Sequence, residues 1–344
     1  MTTLSIALVG AGLIGRRHAE LLQATDFAQL AAIADPAAEA QVFAKSMGVP
    51  CYPSLSALLT GIRPDGILIA TPNQHHRADA LTAIAAGLPV LIEKPIADTL
   101  GAAEEIVAAA ARADIPVLIG HHRRHNPLIA QAKARIEAGD LGRLVAAHAS
   151  FWIYKPDSYF EVAWRRQPGA GPVFINLIHD IDLLRHLCGE IVEVTAIESN
   201  AIRANPVEDT AAALLRFANG AIGTITASDT ITAPWSWEQT AAENPAYPKT
   251  EQTAYMIGGT HGALSIPRLE LWRHPGPRGW WEPIEATRDT VLEVDPLIRQ
   301  LAHFARVIRR EELPLVSGAE GLATLRVVEA IKRSAQSRTP IATL

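Results

Sequence analysis

The feature that most constrains this chain is a glycine-rich turn between an apolar run and a helical pattern. Leu4 to Val9 is an almost unbroken apolar run, which is typical of a strand buried on both faces of a parallel sheet. It leads into Gly10-Ala11-Gly12-Leu13-Ile14-Gly15, and Ile14 to Leu22 then shows helical spacing. Glycines at this spacing allow a tight turn, close backbone approach to a pyrophosphate and close packing of helix on strand. The segment therefore predicts a βα unit that binds a dinucleotide.

An acidic residue at the end of the next strand bears on which dinucleotide is bound. Asp35 follows Gly15 by 20 residues and ends the apolar run Leu30 to Ala34. A carboxylate there can bond both ribose hydroxyls of NAD and repels a 2′-phosphate. Arg16 and Arg17 could compensate, so NADP remains an alternative, as does an ordinary strand–turn–helix with a surface aspartate. NAD is favoured, with these residues on its binding surface: Gly10, Gly12, Leu13, Ile14, Gly15 and Asp35.

The pattern of apolar runs predicts two domains. Runs at Gly66–Ala70, Val90–Ile92 and Val117–Ile119 alternate with helical stretches, which predicts an α/β Rossmann domain with a doubly wound parallel sheet over residues 1–122. From residue 123 to 344 the runs are longer and more mixed, and Asn219-Gly220 marks a tight hairpin. This second part is expected to be an α+β domain with a large, mostly antiparallel sheet.

Composition excludes several classes of protein. With 49% hydrophobic and 19% charged residues, the chain is not expected to be disordered. A net charge of −5 gives no electrostatic reason to bind nucleic acid. Two distant cysteines argue against a disulfide framework, and no apolar run is long enough to span a bilayer. The apolar start lacks the preceding basic residues of a signal peptide, so we expect a cytoplasmic protein without membrane partners.

Two polar turns follow predicted strands, at the edge where open parallel sheets bind their ligands. Thr71-Pro72-Asn73 follows one strand, and Glu93-Lys94-Pro95 follows the next. A partly desolvated lysine beside a cationic nicotinamide should have a lowered pKa and could share the proton of a substrate hydroxyl. A plain surface lysine and a solvated histidine at the helix start are the alternatives. The candidates for cofactor binding at these turns are Thr71, Pro72, Asn73, His76, Glu93 and Lys94.

These motifs at these spacings resemble the Gfo/Idh/MocA oxidoreductase family. The later Trp164-Arg165 and Gly169-Ala170-Gly171 followed by His179 extend the resemblance over essentially the whole chain. The resemblance implies NAD(P)-dependent hydride transfer on sugars, polyols or cyclic diols, and a homodimer or homotetramer built on the open sheet. It also implies two catalytic residues, because Lys94 matches the lysine that touches the reacting hydroxyl and His179 matches the usual acid/base histidine.

The chain departs from the family pattern in the helix that carries the histidine. Relatives often have Asp-x-x-x-His there, with both side chains in the pocket, but Ile175 occupies the aspartate position of this chain. Asn176 and Asp180 are four residues apart and can share one helix face. We expect one of them to take over substrate orientation.

Further candidates could select the substrate. One group of cationic residues follows the last Rossmann strand, and a second group of cationic and aromatic residues precedes the catalytic helix. Both groups could face an anionic substrate such as a sugar acid. The alternative is that they bind carboxylates of the protein or water. These substrate-binding candidates are His122, Arg123, Lys155, Tyr159, Trp164 and Arg165. No histidine and carboxylate spacing resembles a zinc site, so no metal is predicted.

The sequence thus predicts an NAD-dependent dehydrogenase that acts on the CH–OH group of a small molecule: a sugar, a sugar acid, a polyol or a cyclic diol. In this hypothesis the hydroxyl proton goes to His179 with help from Lys94, while the cofactor supplies the hydride chemistry. Two alternatives remain. Transient oxidation could assist glycoside cleavage without net NAD turnover, or the chain could be a non-catalytic dinucleotide sensor.

Overall fold

The first six strands form one parallel sheet, which we call the first sheet. Its order is β3-β2-β1-β4-β5-β6, and every neighbouring pair is parallel. The central strands are buried on both faces, which explains their continuous apolar runs. The strands are β1 Leu4–Val9, β2 Ala28–Ala34, β3 Cys51–Tyr52, β4 Gly66–Ile69, β5 Val90–Ile92 and β6 Val117–Ile119.

Helices connect these strands. They are α1 Leu13–Gln23, α2 Ala38–Ser46, α3 Leu55–Gly61, α4 Asn73–Ala85 and α5 Leu100–Ala113. Ser54 and Thr99 cap α3 and α5 through their hydroxyl oxygens. Because every strand of this sheet runs parallel to its neighbours, all six strands end at the same edge of the sheet. That edge carries the glycine loop and both polar turns.

A second, nine-stranded sheet follows. It has the order β14-β13-β12-β11-β7-β10-β9-β8-β15, and only the β7–β10 pair is parallel. The elements from this part onward are α6 Pro127–Glu137, β7 Leu144–Trp152, α7 Ile178–Cys188, β8 Ile191–Ser199, β9 Thr210–Phe217, β10 Ile222–Ser228, α8 Trp237–Thr240, β11 Tyr255–Gly259, β12 Ala263–Ile266, β13 Glu270–Arg273, β14 Glu285–Arg288, α9 Pro296–Ile308, α10 Gly318–Ser337 and β15 Ile341–Ala342.

This computed structural model describes residues 3–343, which divide into two compact units. The first unit contains residues 1–125 and 295–325, and the second contains residues 126–294 and 326–344. The first unit holds the parallel sheet. The second has a core between its sheet and α7, in which Phe151, Trp237 and Tyr255 are among the largest buried side chains. The sequence pattern instead predicts a single boundary, after residue 122, with residues 295–325 in the second part.

The predicted fold class is confirmed. The Asn219-Gly220 hairpin joins β9 and β10, with Gly220 at a φ of +87° that favours glycine. Two features differ from the prediction. A single π-helical turn, Val173–Leu177, precedes α7, and the hairpin partner β14 had no predicted strand. A π turn is rare and this one spans only five residues, a stretch too short for apolar periodicity to distinguish it from an α-helical turn.

Candidate active site

The glycine loop has the geometry that its sequence predicts. Gly10 adopts a φ of +91°, and a Cβ there would lie 2.6 Å from the Thr71 nitrogen. A Cβ on Gly15 would lie 2.1 Å from the Gly10 carbonyl oxygen. Both positions therefore require glycine, because β1, α1 and the end of β4 approach each other at the level of the backbone.

The middle of the loop is open. A Cβ on Gly12 would meet nothing within 4 Å, and α1 begins there without a capping side chain. The side chain of Leu13 is 95% exposed, and that of Ile14 is partly exposed. An uncapped helix N-terminus behind an open glycine suits a bound phosphate group. The exposed apolar side chains suit contact with the rest of a dinucleotide.

Asp35 is fixed beside this loop by two backbone amides. Its Oδ2 accepts a hydrogen bond of 2.8 Å from the Ala11 N–H, and its Oδ1 accepts one of 2.8 Å from the Ala37 N–H. Each carboxylate oxygen keeps further acceptor capacity. The carboxylate is therefore oriented by the chain and can still accept the hydroxyls of a ribose.

The two arginines that could favour NADP have partners within the first unit. Arg16 donates through Nε to the Ala11 carbonyl oxygen at 3.0 Å, and its guanidinium lies 5.0 Å from the centre of the Phe43 ring. Arg17 forms an ion pair of 2.8 Å with Asp295. Binding of a 2′-phosphate by either guanidinium would require it to exchange or share these contacts.

The turn after β4 is held by side chains. The Thr71 hydroxyl donates to the Asp79 carboxylate at 3.1 Å, Pro72 precedes α4, and Asn73 begins that helix with an exposed side chain. His76, one turn into α4, is fully buried. Its Nε2 lies 2.8 Å from the Thr71 carbonyl oxygen.

His76 therefore differs from the exposed residues around it. Its second ring nitrogen, Nδ1, lies 2.9 Å from the carbonyl oxygen of Pro95. Both ring nitrogens are thus engaged by main-chain oxygens. The ring links the turns after β4 and β5 and leaves no ring nitrogen for a cofactor.

Glu93 is buried at the end of β5 and is paired. Its Oε1 lies 2.8 Å from His18 Nε2, and its Oε2 accepts from the Lys94 N–H at 3.3 Å. Burial raises the pKa of Glu93, but the hydrogen bond from His18 and the positive charges of His18, His122 and Lys94 outweigh it, so the pKa is lowered. Glu93 is therefore an internal anion. The side chain of Lys94 is half-buried, and the Lys94–Pro95 peptide bond is cis.

The basic run after β6 is mostly internal. His122 to His125 form one short 3₁₀ turn in which Arg123, Arg124 and His125 are buried and His122 is half-buried. Arg124 pairs with Glu320 at 2.8 Å. Burial lowers the pKa of His125 to about 3, and nearby cationic groups act in the same direction. His125 therefore stays neutral well below neutral pH, and Glu320 balances the charge of Arg124.

In the second unit, a half-buried lysine contacts the π turn. Lys155 Nζ donates to Asn176 Oδ1 at 2.8 Å and lies 3.8 Å from Asp229. Asp229 also pairs with Arg203 at 2.9 Å. Burial lowers the pKa of Lys155 even though the Asp229 charge opposes this, and burial likewise raises the pKa of Asp229. The structure thus brings together two of the predicted substrate residues, Lys155 and Asn176.

Three further substrate candidates, Tyr159, Trp164 and Arg165, pack against one another. The Arg165 guanidinium lies 4.1 Å from the centre of the Tyr159 ring and 5.6 Å from that of Trp164. Arg165 also donates to the Tyr159 carbonyl oxygen at 3.0 Å. Burial raises the pKa of the Tyr159 hydroxyl. Trp164 is exposed, and the Tyr159 ring packs against the arginine.

The two candidates that could replace the family aspartate are not equivalent. Asp180 is 1% exposed and accepts a hydrogen bond from the Tyr255 hydroxyl in the core. Asn176 is half-buried and bonded to Lys155. His179 is buried in the first turn of α7. Of the two, only Asn176 keeps a partly accessible side chain.

An ion cluster at the start of the π turn, built around the buried Glu208, was not predicted from the sequence. Lys332 bonds Glu208 at 2.5 Å and Glu198 at 2.8 Å. Glu208 Oε1 accepts from the Val173 N–H at 3.1 Å, and a Cβ on Gly171 would lie 2.2 Å from that oxygen. The glycine lets the carboxylate reach the backbone of the turn. No local motif links Glu208 to a lysine 124 residues later.

Neither a metal-binding cluster nor a membrane-spanning helix occurs among the described residues. Within residues 3–343, no three histidine, cysteine, aspartate or glutamate side chains converge where they could hold a metal ion. In the same part of the chain, no helix is both long and apolar enough to cross a membrane.

Comparison with known families matches both parts of the chain. Residues 4–121 match the model described as "Oxidoreductase family, NAD-binding Rossmann fold", and residues 129–265 match the "GFO/IDH/MocA C-terminal domain". The chain belongs to the GFO/IDH/MocA oxidoreductase family. Together with the glycine loop, this membership identifies the chain as an oxidoreductase with an NAD-binding Rossmann fold.

Individual relatives are distant. The rhizopine catabolism protein MocA of Rhizobium meliloti is 33% identical over 55% of this chain, and the match covers 59% of that relative's length. The D-apiose dehydrogenase of Paraburkholderia graminis is 28% identical over 96% of this chain and 87% of its own length. Among solved structures, the WlbA dehydrogenase of Bordetella pertussis in complex with NADH and UDP-GlcNAcA is 26% identical, with a TM-score of 0.81 over 99% of both chains.

Proposed function

We propose that this chain uses NAD in preference to NADP. The observation that carries the proposal is the carboxylate of Asp35, held by two backbone amides beside the open glycine loop. The backbone around Gly12 would hold the pyrophosphate, and Asp35 would accept the ribose hydroxyls. The partners of Arg16 and Arg17 support the same preference, because a 2′-phosphate would have to compete for them.

Affinity for the two reduced cofactors tests this preference. NADH should bind at least about tenfold more tightly than NADPH, and Asp35→Ala should reduce that ratio because the repulsive charge is lost. Tighter binding of NADPH by the unmodified protein would refute the argument.

A glycine pair tests the position of the phosphate. A Cβ at either Gly12 or Gly101 meets nothing within 4 Å, so alanine at either site should leave the fold intact. Gly12→Ala should weaken NADH binding because the methyl group occupies the space that a pyrophosphate would enter. Gly101→Ala is the matched control, and equal NADH affinity in both variants would contradict the proposed cradle.

For the reaction, we propose oxidation of a hydroxyl carbon in a sugar, sugar acid, polyol or cyclic diol. NAD would supply the hydride acceptor. His179 would take the hydroxyl proton and Lys94 would assist, while Asn176, held by Lys155, would orient the substrate. The support is the family membership and the place of Lys94 directly after β5, at the strand-end edge that carries the glycine loop. D-apiose dehydrogenase, a relative matched over 96% of this chain, supports a sugar-like substrate.

A substrate panel tests the reaction through NADH absorbance. We expect turnover of at least one polyol, sugar or sugar acid, and a loss of about 10²- to 10⁴-fold in kcat for Lys94→Ala and for His179→Ala. Lys45→Ala, at an exposed lysine of the first unit, is the control. Undiminished activity of Lys94→Ala would refute the mechanism. Glycoside cleavage with trace NAD, or NADH binding without any turnover, would replace the dehydrogenase by one of the two alternatives.

We further propose that the chain forms a homodimer or homotetramer through the second sheet. Ile222 and Trp272 lie in one cross-strand row, Leu214 and Met256 lie in the next, and all four side chains are exposed. An apolar face of this kind favours association with a second copy. Leu214→Glu should therefore lower the mass measured by light scattering, whereas Val42→Glu, at an exposed valine on α2, should not.

A further inference from the structure

Two buried histidines flank the residues on either side of Lys94. His18 comes from α1, the helix behind the glycine loop, and His76 comes from α4. Both rings are fully buried. His18 contacts Glu93, the residue before the lysine, and His76 contacts Pro95, the residue after it.

The contact before the lysine is made through a carboxylate. A carboxylate only accepts hydrogen bonds, so His18 Nε2 donates to Glu93 Oε1 at 2.8 Å. The other oxygen of Glu93 accepts from the main-chain N–H of Lys94 at 3.3 Å. A Cβ on Gly120 would lie 3.0 Å from this carboxyl group, so the carboxylate packs directly against backbone. His18 thereby determines where the carboxylate points.

The contact after the lysine is made to the backbone itself. Nδ1 of His76 faces the Pro95 carbonyl oxygen at 2.9 Å, and Nε2 faces the Thr71 carbonyl oxygen at 2.8 Å. Carbonyl oxygens only accept, so each contact is a hydrogen bond when the nitrogen that faces the oxygen carries hydrogen. The ring lies between the exits of two neighbouring strands, β4 and β5.

We propose that His18 and His76 are positioning residues for Lys94. They hold residues 93 and 95 and so restrict the backbone of the lysine between them. This inference rests on the proposed function for its catalytic meaning, because Lys94 is there assigned to the hydroxyl proton. Polar rings buried for packing alone would cost free energy at their nitrogens, and these contacts offset that cost at three of the four ring nitrogens.

The test measures Lys94 itself and needs no substrate. The chain has only six lysines, so competitive labelling with limiting acetic anhydride and mass spectrometry resolves each amine as a function of pH. His18→Phe and His76→Phe should change the labelling of Lys94 by about threefold or more, equivalent to half a pKa unit. Lys45 is the internal reference, and His75→Phe, at an exposed histidine of the same helix, is the matched control.

Glutamine separates the hydrogen bonds from the shape of the ring. His18→Gln and His76→Gln retain an N–H donor, so they should restore much of the Lys94 labelling profile, and they also replace any phenylalanine variant that fails to fold. Glutamine variants that behave like the phenylalanine variants would count against the hydrogen bonds. In activity on any substrate found, the phenylalanine variants should lose about 10- to 100-fold in kcat, with a smaller change in KM.

The outcomes distinguish this inference from the proposed function. An unchanged Lys94 profile in both phenylalanine variants overturns the positioning role, whatever their activity. Full activity of Lys94→Ala together with altered Lys94 labelling in the histidine variants refutes the proposed mechanism and leaves the positioning role standing.

Discussion

His125 should make the first unit sensitive to mild acid. Its ring is buried and lies 5.2 Å, centre to centre, from that of His303. Burial is the largest cause that lowers its pKa to about 3, and the positive charges of His303, His122, Arg299 and Arg124 act in the same direction. The folded state therefore keeps this imidazole neutral at a pH where an exposed histidine is charged.

The magnitude follows from the two pKa values. The unfolded chain takes up a proton at this residue near pH 6.5, and the folded chain does so only near pH 3. The stability is therefore complete above pH 6.5 and falls as the pH decreases towards 3. At pH 5 the loss is about 1.5 pH units times 1.36 kcal/mol, or about 2 kcal/mol.

The assay must report on the first unit. All seven tryptophans lie between residues 152 and 281, in the second unit, so tryptophan fluorescence does not report directly on His125. Hydrogen exchange of the segment 117–125, followed by mass spectrometry at pH 7 and pH 5, measures local opening once the intrinsic rates are corrected.

Two variants complete the design. His125→Phe removes the titrating group and should remove about 2 kcal/mol of the pH-dependent loss in protection, whatever its effect at pH 7. His75→Phe, at an exposed histidine, should keep the loss of the unmodified protein. Equal pH dependence in His125→Phe and the unmodified protein would show that His125 is not the buried neutral group described here.

Three further changes should have the following effects. Lys332→Met leaves Glu208 and Glu198 without their cation and should destabilise the second unit by about 3–5 kcal/mol, measured by urea unfolding with tryptophan fluorescence; a loss below 1 kcal/mol would contradict the importance of this pair. Tyr255→Phe removes the donor to the buried Asp180 and should cost about 1–3 kcal/mol in the same assay, without changing NADH affinity; a weakened NADH affinity would instead give this pair a role in binding. Gly15→Ala forces a Cβ to within 2.1 Å of the Gly10 carbonyl oxygen, so α1 must move and NADH binding should be lost, whereas retained affinity would show that the loop can relax.

The first unit was the more predictable part because its signals are local. The strands Val90–Ile92 and Val117–Ile119 have the predicted boundaries, since continuous apolar runs between helices have few other interpretations. The glycine loop was also predictable, because its three glycines lie within six residues of the sequence. The same locality does not extend to His76, whose burial follows from contacts with main-chain oxygens of two separate turns.

The second unit depends on pairs that are far apart in sequence. Glu208 accepts hydrogen bonds from both the backbone of the π turn and Lys332. No sequence pattern links Glu208 to Lys332. The basic run His122 to His125 shows the converse problem. Its sequence suggests an exposed cationic surface, but burial and the Arg124–Glu320 pair make most of it internal. Charge can be counted from sequence, whereas its desolvation cannot.

The missing family aspartate shows why a shared helix face does not establish a shared role. Either Asn176 or Asp180 is expected to take over substrate orientation, because residues four apart lie on one side of a helix. Their partners separate them: the Tyr255 hydroxyl holds Asp180 in the core, and the Lys155 ammonium holds Asn176 at a half-buried position. An amide cannot serve as a base at neutral pH, so Asn176 can orient a hydroxyl but cannot accept its proton. In the proposed mechanism, the proton chemistry therefore rests on Lys94 and His179, without the carboxylate that relatives with the aspartate keep.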